Sequence, residues 1–228
     1  MAWGDVGMLV VEIDNQSGRA VFVRGNVAGL PDQHQIPAGT TWPFQVSAVE
    51  AGRIYLSFAA LSTNAPDGAN PHDPDYKTRF EKVELTYKGG NGKANLTAVD
   101  FYAIPLMLQT FVHAADQASV PVEQFSLKAE MTGAKLEQAL LSAATDPAAA
   151  SVKINTETVR ILSPVKASAA YGSMAPYVTK VVTAAQNIQI NGMYYGSPAK
   201  DYAYTGKIDA TNIALENKLF IGGLVTYE

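Results

Sequence analysis

Hydrophobic and polar positions alternate in short runs from Met8 to Phe111, and that period of two predicts strands separated by turns. Met8 to Asp14 and Ala20 to Arg24 are rich in β-branched residues. The cluster Asn15-Gln16-Ser17-Gly18 between them supplies side-chain turn bonds and a residue tolerant of positive φ, so the two segments are expected to form a hairpin. Thr40 to Val46 and Gly52 to Phe58 predict two further strands, and Asn64 to Tyr76 has the proline, acid and amide content of a loop. Phe80 to Tyr87 and Asn95 to Leu108 predict a second hairpin around Gly89-Gly90-Asn91-Gly92.

Beyond Phe111 the period lengthens. Leu127, Met131, Ala134, Leu136, Leu140 and Leu141 recur at spacings of three and four, which predicts a helix over Phe125 to Ala144, weakened at Thr132-Gly133. An Ala-rich link surrounds Asp146-Pro147. Thr158 to Leu162 reads as a short buried strand ended by Ser163-Pro164, and Ser173 as the cap of a second helix containing Pro176, Val178, Val181, Val182 and Ala185. Alternation returns from Tyr194 to Tyr227, with Gly206 and Gly222-Gly223 as turn signals.

Composition narrows the function classes. With 228 residues, 47% hydrophobic and only 17% charged, the chain can bury a large core. The absence of cysteine removes thiol nucleophiles, disulfides and thiolate zinc sites. A net charge of −4 offers no basic footprint for a phosphate backbone, so nucleic acid is not an expected partner. No apolar run approaches the roughly 20 residues that cross a bilayer, and the acid in Met1-Ala-Trp-Gly-Asp is unlike a signal peptide's basic start. From these features alone the chain is expected to be cytoplasmic or to have lost an export signal, with no membrane partner.

The acids Glu84 and Asp100 attract attention because their midpoint falls on Gly92, inside the glycine-rich turn. A hairpin closing symmetrically on Gly92 sets Glu84 opposite Asp100 on one face, whereas a two-residue Asn91-Gly92 turn sets Glu84 opposite Val99. An odd-length loop is therefore expected if the pair is functional. Paired carboxyls suit glycoside hydrolysis, where one protonates the leaving oxygen and the other activates water or attacks the sugar. Two acids on neighbouring strands also make an ordinary solvated sheet face.

Other groupings are weaker. Asp67, Asn70, His72, Asp73 and Asp75 gather oxygen donors that could hold Ca²⁺ but lack the EF-hand order, and a solvated loop explains them as well. His34, His72 and His113 are scattered and give no zinc signal. Gly89 to Ala94 lacks the Walker glycine and Ser/Thr, and no Gly-x-Ser-x-Gly elbow exists. No metal or cofactor is expected.

The blocks Val83-Glu84-Leu85-Thr86 and Val99-Asp100-Phe101-Tyr102-Ala103-Ile104-Pro105-Leu106 resemble the signature of glycoside hydrolase family 64, the β-1,3-glucanases. Asp14 to Val23, Ala51-Gly52-Arg53-Ile54-Tyr55-Leu56-Ser57, Val159 to Pro164 and Tyr204-Thr205-Gly206 resemble further segments of that family in the same order. The resemblance implies an α+β protein: a thaumatin-like β-barrel or sandwich over residues 1–111, a helical α/β insertion over 112–190 forming the other wall of a groove, and returning strands over 191–228. It implies hydrolysis of β-1,3-glucan, with Glu84 as general acid and Asp100 as general base of an inverting reaction, Thr86, Thr97 and Tyr102 touching sugar, Arg53 near the acids, and a secreted location. The chain departs from the family at Lys88 to Ala94, where an Asn and an aromatic are usual, and in ending soon after Leu219. Those departures keep open a non-catalytic carbohydrate-binding protein on the same fold, or an assembly subunit with no sugar ligand. Tyr194, Tyr195, Tyr202 and Tyr204 are the expected exposed aromatics.

Overall fold

A computed structural model describes residues 8–96, 99–113, 121–128, 130–173, 176, 187–194, 200–208 and 213–221. The chain divides into two compact units, 1–172 and 173–228. In the first unit, β1 (Leu9–Asp14) pairs antiparallel with β4 (Thr41–Val46). Strands β2 (Val21–Gly25), β3 (His34–Ile36), β5 (Val49–Ser57), β6 (Phe80–Lys88) and β7 (Asn91–Leu96) form a five-stranded sheet in the order β3-β2-β5-β6-β7. A third sheet joins β8 (Phe101–Tyr102), β11 (Ser151–Ile154) and β12 (Glu157–Leu162) in the order β11-β12-β8. Strands β9 (Leu108–His113) and β10 (Pro121–Leu127) make a two-stranded ribbon, followed by helix α1 (Gly133–Ala143). The second unit contains an antiparallel sheet of β13 (Asn187–Tyr194), β14 (Lys200–Ile208) and β15 (Ile213–Ile221).

Several expectations are corrected. β1 and β2 do not pair; they enter different sheets, because Asn15 is buried and its amide donates to Arg19 O, Ile36 O and Pro37 O, anchoring the crossing between layers. The predicted Asn95 to Leu108 strand is three pieces, β7, β8 and the start of β9. Helix α1 begins only at Gly133, since Phe125 to Leu127 belong to β10 and the Thr132 hydroxyl accepts from Lys135 N at the helix start. A side chain at position 133 would meet Pro105 Cγ at 2.9 Å, which explains a glycine there. Gly206 lies inside β14, at a register shift, instead of at a turn. The sheets are separate, and no barrel closes among the described residues. Of the helix predicted from Ser173, only Ser173 and Pro176 lie within the described residues.

Two cores explain the layering. Val21, Val23, Ile36, Ile54 and Leu85 from the five-stranded sheet pack on Phe44 and Val46 of β4, with Leu9, Val11 and Ile13 of β1 alongside, so two sheets meet face to face. On the opposite face of β5 and β6, Tyr55 and Phe80 pack with Leu61, Phe101, Ala103 and Ile104. Arg160 on β12 lies within that second core at 1% exposure. Its guanidinium stands 4.5 Å from the Phe80 ring centroid and 4.8 Å from that of Phe101. It donates to Gly68 O at 2.6 Å and also to Thr78 O, fastening the long loop between β5 and β6. Burial pushes its pKa down to about 10, against the raising influence of Glu81.

Replacing Arg160 strips two buried carbonyls of their donor and opens a cavity between two rings. Arg160→Met is expected to destabilise the protein by about 3 kcal/mol or more, read from the midpoint of urea unfolding.

Candidate active site

The hairpin of β6 and β7 turns on Gly89-Gly90, with φ of 59° and 80°, as a two-residue type I′ turn requires. Lys88 pairs with Asn91 and Glu84 with Asn95, so the odd-length closure on Gly92 is overturned. The core explains this register, because it places Ala94 opposite Leu85 against the core and sets Leu96 opposite Val83 and Gly92 opposite Tyr87. Asp100 then falls beyond the end of β7, in the bend that leads to β8, and is not the cross-strand partner of Glu84.

The two acids are nevertheless linked through one side chain. Lys82 and Glu84 are two positions apart on β6 and project to the same face. Lys82 Nζ donates to Asp100 Oδ2 at 3.0 Å, which draws Asp100 over that face. Lys166 Nζ, in the turn after β12, stands 3.3 Å from Asp100 Oδ1. Burial acts to raise the Asp100 pKa, but the hydrogen bonds and charges of Lys82 and Lys166 outweigh it and hold the carboxyl below its ordinary value. Arg53 pairs with Glu84 across β5 and β6, its Nε 3.3 Å from Oε1, so Arg53 lies where the resemblance implied.

The other expected site residues are distributed differently. Thr86 Oγ1 accepts from Ala51 N at 3.1 Å, securing the bulge where Ala51 takes a φ of 49°, and its own O–H remains a donor on the Glu84 face. The Tyr102 hydroxyl is buried without a hydrogen-bond partner among the described residues, and the charges acting on it are those of Arg79, Glu137 and Glu81. Burial raises its pKa. Thr97 and the side chains of Tyr194, Tyr195, Tyr202 and Tyr204 lie outside the described residues. The acidic loop spends its carboxylates on backbone amides: Asp75 accepts from Ser62 N and Thr63 N, Asp73 from Asp67 N and Asp75 N. No metal-binding cluster occurs among the described residues, and no helix there is long and apolar enough to cross a membrane.

Sequence patterning missed Lys82, Lys166 and Glu81. Lys82 was accessible from its position two residues before Glu84; Lys166 carried no such signal. Glu81, next to Lys82 on β6, is 5% exposed and accepts from Ala103 N at 2.9 Å and Lys82 N at 3.2 Å. Burial pushes its pKa up to about 7, against those amide bonds.

Residues 13–219 match the family model described as beta-1,3-glucanase, glycoside hydrolase family 64. The chain belongs to this family. Among solved structures, a laminaripentaose-producing β-1,3-glucanase in complex with laminaritetraose superposes with a TM-score of 0.66 at 19% identity, covering 92% of this chain and 68% of that one. The β-1,3-glucanase domain of the family from Clostridium beijerinckii gives 0.53 at 15% identity, covering 96% and 70%. No curated protein sequence matches the chain. Family 64 membership makes the chain a glycoside hydrolase of β-1,3-glucan type, on a mostly β fold shared with these structures.

Glu81 generates a signed pH dependence. Its folded pKa lies above the ordinary 4.5, so the folded state holds the extra proton, and its contribution is full below about 4.5 and lost as pH rises through about 7. Glu81→Gln is expected to remove a decline of about 3 kcal/mol across that window, seen as a pH-dependent difference in unfolding free energy from the wild type.

Proposed function

We propose that this family 64 protein hydrolyses β-1,3-glucan with inversion, Glu84 protonating the glycosidic oxygen and Asp100 activating the attacking water. The observation that carries the reading is the Lys82 bridge, which gathers Asp100 from the β7–β8 bend onto the face that bears Glu84. An inverting reaction needs the two carboxyls about 6.5–9.5 Å apart to admit water, and this reading requires that separation between Glu84 and Asp100. The ionised state favoured at Asp100 suits a base, and the Thr86 O–H beside Glu84 is a donor for a sugar oxygen. The laminaritetraose complex of the similar enzyme supports an oligosaccharide of the same linkage as ligand. In this reading the protein acts outside the cell, where such polymers occur.

A second reading, binding of β-1,3-glucan without cleavage, is favoured by one feature. Two lysines on one carboxylate weaken its basicity, and both acids already have cationic partners.

Reducing-end release from laminarin separates the two. The hydrolase reading expects turnover by the wild type, a loss of about 10²–10⁴-fold in Glu84→Gln and Asp100→Asn, and an α-anomer as first product by NMR. Binding to laminarin with no new reducing ends from the wild type would establish the second reading instead.

A further inference from the structure

We propose that Lys82 and Lys166 are positioning residues for Asp100, clamping its carboxylate from two sides, Lys82 at Oδ2 and Lys166 at Oδ1, and so fixing its orientation. The inference rests on the hydrolase reading of the same site. Three separate segments converge on this carboxylate: β6 through Lys82, the bend before β8 through Asp100, and the turn after β12 through Lys166. The turn is itself tied to Asp100 by backbone, with Ser163 N donating to Asp100 O at 3.0 Å. Lys166 N and Ala167 N both return to Ser163 O, at 3.0 and 2.9 Å, which fixes where the Lys166 side chain departs.

The two lysines are not equivalent. The Lys82 side chain is 12% exposed and makes the shorter contact, 3.0 Å to Oδ2. Lys166 is 37% exposed and stands 3.3 Å from Oδ1, so it is the more solvent-accessible and the longer of the two contacts. Exposed ion pairs add little to stability. Their effect here falls on the carboxylate itself, through its orientation and its ionisation. The charged groups facing Asp100 are Lys82 from β6 and Lys166 from the turn, with Glu84 next along β6 and Arg53 opposite it on β5. Two cations on one anion favour the ionised form well into the acid range.

The test compares the wild type with Lys82→Met, Lys82→Arg and Lys166→Met. Laminarin hydrolysis is followed against pH, and the Asp100 carboxyl is titrated by carbon-13 NMR. Lys82→Met is expected to move both the acid limb of kcat/KM and the Asp100 titration upward by about one pH unit, with kcat falling more than KM rises. Lys82→Arg is expected to restore both. Lys166→Met, at an exposed position that the fold tolerates, should move them in the same direction by less. An Asp100 titration unmoved in both methionine variants would overturn the proposal, as would a change confined to KM. If no form of the protein cleaves laminarin, the hydrolase reading fails, and the carboxyl titration alone still decides whether the lysines hold Asp100.

Discussion

The placement of Arg160 is the constraint from which the site follows. A guanidinium keeps its charge at any working pH, so its burial requires aromatic faces and carbonyl oxygens in a fixed geometry. Phe80, Phe101, Gly68 and Thr78 supply them. Because Phe80 opens β6, Phe101 opens β8 and Arg160 lies on β12, satisfying that one cation presses the three-stranded sheet against the five-stranded one. The residue before Phe101 is Asp100, and the turn after β12 carries Lys166. The same packing therefore delivers a carboxylate and an ammonium to the polar half of β6.

Strand β6 serves two environments along its length. Phe80 and Glu81 are both buried, one among aromatic rings and the other under backbone amides. Farther along, Leu85 continues the hydrophobic layer on one side, while Lys82, Glu84 and Thr86 keep the other side polar. The change from covered to open on that second side occurs within a few residues, and it marks the edge of the Phe101, Ala103 and Ile104 cluster. An apolar end anchors the strand, and the polar end carries Glu84 and the lysine that holds Asp100.

The faces of strands were legible in the sequence, and their partners were not. Alternation located β1, β2, β4, β5, β6 and β12, and the Gly-Arg-Ile-Tyr segment placed Arg53 beside Glu84. The hairpin register went astray because four candidate turn residues stood together. Two consecutive glycines with positive φ took the turn, and the register they set packs Ala94 against the core, a contact that a linear pattern does not display. Asn15 looked like a turn residue and is a buried clasp between layers. The strand character of Phe125 to Leu127 was hidden by a leucine spacing that also fits a helix, and the three residues of β3 are too few to show any period. Lys166 reaches the site across chain separation alone, so nothing local announced it.

The Gly89-Gly90 turn has a mechanical side. Had the hairpin closed symmetrically on Gly92, the ladder itself would have fixed the carboxyl spacing, as rigidly as hydrogen-bonded backbones fix any cross-strand pair. With Asp100 carried past the ladder's end, its place is set instead by the Ser163 backbone and by the two lysines. The distance between the acids is thus a property of packing between segments and not of strand register, and a change in those segments can alter it without breaking a single bond of the β6–β7 ladder.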